Sequence, residues 1–475
     1  MAKSKQAIHK IAHQAELAFR EENFSRSLIL YRKALKLDKN DAELLKRYGH
    51  ILTLNGKSKE AVGYLERSCK RRPNHISTLM MLSFARLKIG ELDGVLDALN
   101  RVLKIEPDHG AALLGKLTLY LDSGTPELAE GLLERALSVE RPDPHVLIAQ
   151  AKLARTTKNY AVGIDAATRV LEDPDTPKNL RVSGGFALGH LLDASGEYDR
   201  AFEAYRVANS ARTAAAPSHA KSTITTWSKS LLDGIDPTAV QSERLVLVIG
   251  MPRSGTTLTE QIISAHPLAD TVGEAPMILQ LLTRTTPSAL TTERLTEYGE
   301  EYLAYLDEQV PSECTRVVDK HMNADKSVGM LSKMYPNAKF IHCMRDPSDC
   351  CLSAYFQNFG HNLPFARDLK NIGEQYLSHR EIMDHWDEVL DRPILKHVYE
   401  DLVDDPEPHV RDLLAHIDLE WDESCMRFHE TKKFVRTASA TQVRKPIYKS
   451  SKQRWRNYEK HLGPLFDALG GYAPK

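Results

Sequence analysis

The chain contains the run Leu245-Val-Leu-Val-Ile-Gly-Met-Pro-Arg-Ser-Gly-Thr-Thr257, in which branched aliphatic residues give way to a loop with two glycines. A helical pattern continues from Leu258 to Ile263. Strand, glycine loop and helix in this order form an anion site, because the loop amides and the positive end of the helix dipole point to the same place. The run therefore predicts a loop that holds a phosphate group.

The predicted phosphate loop departs from the nucleoside-triphosphate pattern at one position. Gly250, Gly255 and Thr257 have the expected spacing, but Thr256 stands where that pattern has its lysine. Without this lysine, hydrolysis of a magnesium-bound triphosphate is disfavoured, and so is an ordinary kinase that uses ATP. Arg253 offers a planar guanidinium to a phosphate instead. The loop predicts an anionic donor other than ATP.

Length and composition are those of an ordinary globular protein. A chain of 475 residues predicts two or three domains. Its 63 Lys and Arg against 64 Asp and Glu give a net charge of -1, which argues against a general binder of nucleic acid or membrane surfaces. Six scattered cysteines without a Cys-x-x-Cys pair argue against a zinc site. With no apolar stretch of signal or membrane-spanning length, we expect no membrane anchor and a reducing cytoplasm.

Residues 8–212 are predicted to be almost entirely helical and repetitive. Pro73 and Pro107 lie 34 residues apart, and each follows a helical pattern. Small or medium side chains recur in these helices, at Ser27, Tyr31 and Ala34, at Ala61, Leu65 and Ser68, and at Val95, Leu99 and Val102. The pattern resembles tetratricopeptide repeats, with about six helical pairs. Such a solenoid holds a peptide or protein partner, or it supports a second domain.

The second half alternates strand-like and helical runs. Four strands are predicted, at 246–249, 315–318, 339–344 and 393–398, which favours a parallel sheet in an α/β layer fold. Polar residues follow each strand, and ligands of open α/β sheets bind at the carboxyl ends of the strands. The expected architecture is an all-α tetratricopeptide solenoid at 8–212, a linker at 213–243 and an α/β P-loop-type domain with a parallel sheet at 244–470.

The motifs after these strands resemble those of sulfotransferases that use 3′-phosphoadenosine-5′-phosphosulfate (PAPS), above all the tyrosylprotein sulfotransferases. The segment 252–257 is similar to the family's 5′-phosphosulfate loop. The resemblance implies that the donor is bound by Pro252, Arg253, Ser254, Gly255, Thr256 and Thr257. The segment Arg345-Asp-Pro-Ser-Asp-Cys-Cys-Leu-Ser353 is similar to the 3′-phosphate motif, with Arg345 and Ser353 as the implied ligands. Tyr399 matches a tyrosine that approaches the adenine.

The resemblance also implies the catalytic residues. Glu274 matches the family's proposed base, and Lys320 matches its lysine near the bridging oxygen. Ser439 falls where the tyrosine enzymes have a catalytic serine, and Arg454 falls where they have a lysine, which implies a further contact with the donor. His321, next to Lys320, is the alternative base.

These residue types suit sulfuryl transfer, which needs an in-line nucleophile, a base and neutralisation of the departing phosphate. A phenol has a pKa of about 10, so a carboxylate such as Glu274 helps it to lose its proton. Lys320 and Arg253 would stabilise negative charge on the bridging oxygen. The resemblance implies PAPS as the donor, 3′,5′-ADP (PAP) as the product and no metal.

Departures from the family leave the acceptor open. The animal tyrosine enzymes carry a membrane anchor and luminal disulfides, neither of which is evident in this sequence, and they lack its repeat array. The preferred interpretation is sulfation of a peptide or protein tyrosine that the repeats help to present, and a homodimer is compatible with it. The alternatives are sulfation of a carbohydrate or small-molecule hydroxyl, and a nucleotide-binding scaffold without catalysis. No nucleic-acid or membrane partner is expected.

Overall fold

A computed structural model of the chain gives two compact units, Met1–Ala187 and Leu188–Lys475. The structure describes residues 2–21, 23–122, 125–137, 142–216, 220–238, 240, 242–275, 277, 280–281, 284, 286–321, 324–360, 363–431 and 442–474. Over these residues the first unit is helical, and the second combines helices with a sheet.

The first unit is built from consecutive helix pairs. Its helices are α1 (Ala2–Arg20), α2 (Phe24–Leu37), α3 (Ala42–Leu54), α4 (Ser58–Arg71), α5 (Ile76–Lys88), α6 (Leu92–Ile105), α7 (Gly110–Asp122), α8 (Pro126–Leu137), α9 (Pro144–Thr156), α10 (Tyr160–Glu172) and α11 (Lys178–Ala194), the last of which crosses the unit boundary. Each odd-numbered helix from α1 to α9 packs against the helix that follows it. The side chains of Asn23, Asp41 and Asp143 accept main-chain hydrogen bonds at helix starts, which stabilises the short turns.

The 34-residue period sets both the turns and the interior of these pairs. Gly56 and Gly90 lie one period apart at φ +78° and +77°, where a side chain would strain the turn. Gly49 lets α3 approach α4, because a Cβ there would lie 2.7 Å from Leu65 Cγ. The nine residues that mark the repeats in the sequence are all buried: Ser27, Tyr31, Ala34, Ala61, Leu65, Ser68, Val95, Leu99 and Val102. The predicted repeat pattern is therefore the packing surface between helices.

The second unit surrounds a parallel sheet in the order β2-β3-β1-β4-β5. The strands are β1 (Leu245–Gly250), β2 (Ala269–Gly273), β3 (Arg316–Lys320), β4 (Lys339–Met344) and β5 (Leu395–Val398). The helices are α12 (Tyr198–Ser210), α13 (Ala220–Thr226), α14 (Lys229–Asp233), α15 (Thr256–Ser264), α16 (Thr292–Gln309), α17 (Val328–Met334), α18 (Pro347–Tyr355), α19 (Leu369–Val389), α20 (Tyr399–Asp404), α21 (Pro406–His416) and α22 (Gly463–Leu469). Short 3₁₀ segments lie at Pro287–Ala289, Ala324–Ser327, Pro364–Arg367, Glu423–Glu430, Arg454–His461 and Gly470–Tyr472.

The central strand β1 is buried on both faces and separates two hydrophobic cores. Leu245, Leu247 and Ile249 belong to one core, and Val246 and Val248 belong to the other. Side chains alternate along a strand, so a continuous aliphatic run is what a strand covered on both faces requires. The loop that follows β1 therefore leaves a strand that is anchored from both sides.

Strand β2 is missing from the sequence-based prediction, which gives four strands. Its residues Ala269-Asp-Thr-Val-Gly273 contain no apolar run, and it lies at the edge of the sheet. The register also shifts between Thr271 and Gly273. A short, bulged edge strand lacks the periodicity by which a strand is recognised in sequence.

The predicted fold class is confirmed: helical repeats precede an α/β domain with a parallel sheet. Among the described residues, no helix has both the length and the apolar character needed to cross a membrane. The compact second unit begins at Leu188 and so includes α12. The domain limits at 212 and 244, with the linker between them, stay a prediction.

Candidate active site

Residues 251–255 form the loop between β1 and α15, at the carboxyl end of the central strand. Gly250 has no room for a side chain, because a Cβ would lie 2.4 Å from Ser254 Oγ and 2.8 Å from the Cys343 carbonyl oxygen. Gly255 caps α15 at φ +105°, a backbone conformation that glycine adopts without strain. The positive end of the α15 dipole faces the loop. The backbone of the predicted anion loop is therefore present.

Arg253 lies inside this loop and links it to two other segments. Its Nε donates to Ser353 Oγ at 3.0 Å, and its Nη2 donates to Gln442 Oε1 at 2.7 Å. Its backbone has φ +75°, a conformation that costs a non-glycine residue about 1–3 kcal/mol and that clusters at functional sites. Burial, reinforced by the charge of Arg345, lowers the pKa of Arg253 to about 10. An anion beside the two guanidinium groups would relieve their repulsion.

Arg345 follows β4 and lies beside the loop. Its Nη1 donates to the Arg253 carbonyl oxygen at 3.0 Å, and its Nη2 donates to the Ser451 carbonyl oxygen at 2.7 Å. Its guanidinium carbon lies 4.7 Å from the ring centroid of Tyr399, the residue after β5. The Tyr399 ring covers Gly255, where a Cβ would lie 3.0 Å from Cδ2 of the tyrosine. Three motifs that are far apart in the sequence therefore form one cluster.

Three polar groups of the loop and of the segment 345–353 are buried without a hydrogen-bond partner among the residues that the structure describes. They are Ser254 Oγ, Arg345 Nε and Ser348 Oγ. Leaving such a group unpaired costs about 1–3 kcal/mol, so a buried group of this kind calls for a partner from elsewhere. Together with the two guanidinium groups, they fit a ligand that carries phosphate.

Glu274 and Lys320 meet on the other flank of β1. Lys320 ends β3 and Glu274 follows β2, and Lys320 Nζ lies 2.5 Å from Glu274 Oε1. The side chain of Lys320 is 2% exposed, whereas that of Glu274 is 35% exposed. Since a buried charge needs a partner, the ion pair stabilises the ammonium at the sheet edge. The carboxylate stays accessible to an acceptor that arrives from solvent.

Two further carboxylates, Glu260 of α15 and Asp319 of β3, are buried near this ion pair. Burial raises the pKa of both, and that of Asp319 to about 7, although the charge of Lys320 acts in the opposite direction. Burial lowers the pKa of His321, so its imidazole is neutral at neutral pH. Glu274 is more exposed than the other three candidate proton acceptors, which are Glu260, Asp319 and His321.

The remaining predicted residues fall in different places. The loop and the first turn of α15 contain Pro252, Thr256 and Thr257. The guanidinium of Arg454 forms an ion pair with Asp193, which also accepts a hydrogen bond from the Tyr458 hydroxyl. This pairing engages the Arg454 guanidinium with a carboxylate of the protein itself. Ser439 lies outside the described residues. The roles of Arg454 and Ser439 stay predictions.

Sequence reasoning misses four polar residues of the site, Gln442, Ser348, Glu260 and Asp319. Glu260 is the one charge in the run Leu258–Ile263, and Asp319 directly follows two valines. A charged residue inside a buried pattern is the signal that could have identified both. Gln442 and Ser348 carry no such signal, because polar residues are ordinary in loops and at helix starts.

Family models match both halves of the chain. The model of the sulfotransferase family matches residues 246–423, and two tetratricopeptide-repeat models match residues 14–76 and 86–153. Among solved structures, the sulfotransferase domain from the Synechococcus PCC 7002 olefin synthase is 21% identical, covers 46% of this chain and 88% of its own, and has a TM-score of 0.35.

Curated relatives match either most of the chain or less than half of it. An uncharacterised protein of Aquifex aeolicus is 31% identical over 88% of this chain and 53% of its own length. The protein-tyrosine sulfotransferase of Drosophila melanogaster is 26% identical over 44% of this chain and 46% of its own length. The chain thus spans about half the length of these two relatives. The family matches and the motifs at the sheet edge together identify a protein that combines tetratricopeptide repeats with a C-terminal sulfotransferase domain.

Proposed function

We propose that the protein transfers a sulfuryl group from PAPS to a hydroxyl, foremost that of a tyrosine in a peptide or protein. One observation carries the proposal: the Glu274–Lys320 ion pair lies at the same sheet edge as the loop that contains Arg253. A base and charge-stabilising groups at the mouth of an anion loop are the parts that this reaction needs.

PAPS is proposed as the donor because the chemistry of the loop cluster suits it. Arg345 and Ser353 would hold its 3′-phosphate, and the loop with Ser254 would hold the phosphosulfate. Tyr399 would pack against the adenine. The buried, unpaired Ser254 Oγ and Arg345 Nε support this assignment, since phosphate oxygens would accept hydrogen bonds from both. Arg454 is retained as a proposed contact with the donor, and Ser439 is retained as a proposed catalytic residue.

The proposed reaction balances without a metal. The sulfur–oxygen bond to the 5′-phosphate breaks, and a new bond forms between sulfur and the phenol oxygen. The phenol proton goes to the Glu274 carboxylate, and PAP leaves with the bridging oxygen. The Lys320 ammonium is buried, so its charge acts through a medium of low dielectric on the oxygen that becomes negative. Arg253 adds a second positive charge.

A tyrosine acceptor is proposed because relatives named protein-tyrosine sulfotransferases are 26–27% identical over 44% of the chain. The repeats are proposed to hold the acceptor protein, as solenoids of this type bind peptides along their helices. The proposal includes a reducing compartment, since all six cysteines are buried free thiols.

The test is transfer of labelled sulfate from PAPS to a panel of tyrosine peptides, sugars and phenols. We expect labelling of a tyrosine peptide by the wild-type protein, and its loss in Glu274→Ala and Arg253→Ala. Arg411→Ala, which alters an exposed arginine paired with Glu407, is the matched control. Full transfer by both site variants would refute the assigned roles.

The same panel separates the alternatives. Labelling of sugars alone would replace the tyrosine assignment with a carbohydrate acceptor. Tight binding of 3′,5′-ADP without transfer to any acceptor would indicate a nucleotide-binding scaffold. Protection of the folded state by ATP but not by 3′,5′-ADP would refute PAPS as the donor.

A further inference from the structure

The segment that carries Glu274 is bent by a bulge at the end of β2. The pairing of β2 with β3 shifts register between Thr271 and Gly273. Gly273 has φ +67°, which turns the main chain sharply just before Glu274. Bulges beside active sites re-aim a side chain. In this segment the re-aimed side chain is that of Glu274, which meets Lys320.

On the amino side of Glu274, the bulge is tied to a buried carboxylate of α15. Gly273 N donates to Thr271 Oγ1 at 2.9 Å, and Thr271 Oγ1 donates to Glu260 Oε1 at 2.6 Å. A hydroxyl has one proton, and its other acceptor, the Val318 carbonyl oxygen, is farther away at 3.2 Å. Since Glu260 is 3% exposed, water does not compete for this hydrogen bond.

On the carboxyl side of Glu274, the main chain is tied to a second buried carboxylate. Ala275 N donates to Asp319 Oδ1 at 3.3 Å, and the Tyr302 hydroxyl donates to Asp319 Oδ2. Ala275, Tyr302 and Asp319 are all fully buried. The amide of Ala275 is thus held directly by the buried Asp319, and the amide of Gly273 is held by Thr271, whose hydroxyl donates to the buried Glu260.

We infer that Glu260 and Asp319 are positioning residues, which hold the main chain on both sides of Glu274 and so direct its carboxylate toward Lys320 and the acceptor hydroxyl. The inference rests on the proposed role of Glu274 as the base. A buried carboxylate destabilises a fold unless it is hydrogen-bonded, so two of them side by side need a reason beyond packing. Catalysis is such a reason, because a small displacement of a reacting group lowers the reaction rate steeply.

We call the side chains of Glu260, Thr271, Tyr302 and Asp319 the carboxylate frame. Asp319→Ala removes the acceptor of the Ala275 amide, whereas Asp319→Asn keeps an amide oxygen in its place. We expect Asp319→Ala to lower kcat by about 100-fold with an unchanged KM for the donor. Asp319→Asn should recover about tenfold of that loss, since it restores one hydrogen bond. The affinity for 3′,5′-ADP should stay constant, because the frame lies on the other flank of β1.

Tyr302→Phe and Tyr335→Phe form a matched pair. Both tyrosines are fully buried in the same core, but the Tyr335 hydroxyl donates to the Gly299 carbonyl oxygen and has no hydrogen bond to the frame. We expect Tyr302→Phe to lower kcat by about tenfold and Tyr335→Phe to change it by less than about twofold. Equal kcat in the two variants, or no recovery of kcat in Asp319→Asn, would overturn the inference.

Amide hydrogen exchange over residues 271–275 tests the frame without reference to catalysis. Exchange should be faster in Asp319→Ala and Tyr302→Phe than in Tyr335→Phe, because the first two lose support for the Ala275 amide. If Asp319→Ala does not fold, the tyrosine pair decides the question. Wild-type protein that transfers no sulfate refutes the proposed function, whereas unaltered exchange in Tyr302→Phe refutes the frame.

Discussion

The two flanks of β1 place charge at the same sheet edge in opposite ways. Toward β4 and β5, Arg253 and Arg345 lie close together, and nearby polar atoms have no partner among the described residues. Toward β3 and β2, Lys320 is paired with Glu274, and buried carboxylates support the segment that carries it. The first flank brings two guanidinium groups and buried polar atoms together, as a site for an anionic ligand requires. On the second flank the charges are paired within the protein, which holds groups that take part in a reaction in fixed positions.

This contrast predicts that donor binding and turnover can be lost separately. Lys320→Met keeps the length of the buried side chain but removes its charge. We expect kcat for transfer to fall by about 10²–10³-fold, because a charge at the departing oxygen is lost, while the KM for PAPS, in which this oxygen has not yet become negative, changes far less. Initial rates of sulfate transfer at varied PAPS concentrations measure kcat and KM.

The matched control for that variant is Lys339→Met, on β4. Lys339 is also a strand lysine with a carboxylate partner, since its Nζ lies 2.7 Å from Asp418 Oδ2. The Lys339→Met variant should transfer sulfate at the wild-type rate. A similar loss of kcat in both lysine variants, or a rise in the KM for PAPS in Lys320→Met as large as its fall in kcat, would remove the distinction between the flanks.

Arg345→Ala tests the other flank. We expect 3′,5′-ADP to bind about 100-fold more weakly, since two or more charge-assisted hydrogen bonds are lost. Arg392→Ala is the control, because Arg392 also donates to main-chain carbonyls and lies over an aromatic ring, that of Phe340. Isothermal calorimetry on both variants compares them, and equal affinities would contradict a donor role for Arg345.

Gly255→Ala tests the backbone of the loop and should have a smaller effect. The residue has φ +105°, and its Cβ would lie 3.0 Å from Tyr399 Cδ2. We expect Gly255→Ala to lower the free energy of unfolding by about 2 kcal/mol. Thermal unfolding should show this loss as a lower transition midpoint than in the wild type. Addition of 3′,5′-ADP should raise the midpoint. Gly463→Ala, whose Cβ would meet nothing within 4 Å, should leave that midpoint in place.

The smallest expected effect is a pH dependence that arises on the β3 flank. Burial raises the pKa of Asp319 to about 7, so the folded protein keeps a proton that the unfolded chain has already released. The free energy of unfolding should therefore fall as the pH rises through this range, by about 1 kcal/mol between about pH 6 and pH 8. Urea denaturation of the wild type and of Asp319→Asn at both pH values measures the free energy of unfolding. If this free energy changed equally with pH in the two proteins, the raised pKa of Asp319 would be contradicted. Tyr302, Glu260 and Lys320 face this carboxyl and are unchanged in the comparison.

The architecture could be predicted from local patterns. The period between Gly56 and Gly90 and the aliphatic run at β1 are properties of short windows, and the physics that they report, helix packing and strand burial, acts over the same range. The loop with Arg253 and Gly255 is equally local, because its conformation depends on residues that are adjacent in the chain. Arg345 and Tyr399 could be placed at one edge from sequence because each directly follows a predicted strand, and parallel strands end at one edge. Glu274 follows β2, which the sequence does not predict, so only the family resemblance pointed to it.

The tertiary structure decided the partners of these residues. Asp319 and Tyr302 meet from a strand and a helix, and Glu260 reaches Thr271 across the bulge of a strand that has no sequence signal. Arg454 matches a donor-binding position in its motif, yet its ion pair is with Asp193, far away in the sequence. Local sequence sets which conformation a segment adopts, because backbone sterics and burial act within a few residues. The partner of each buried charge depends on how segments that are distant in the sequence pack together. A local sequence pattern does not show which distant segments come into contact.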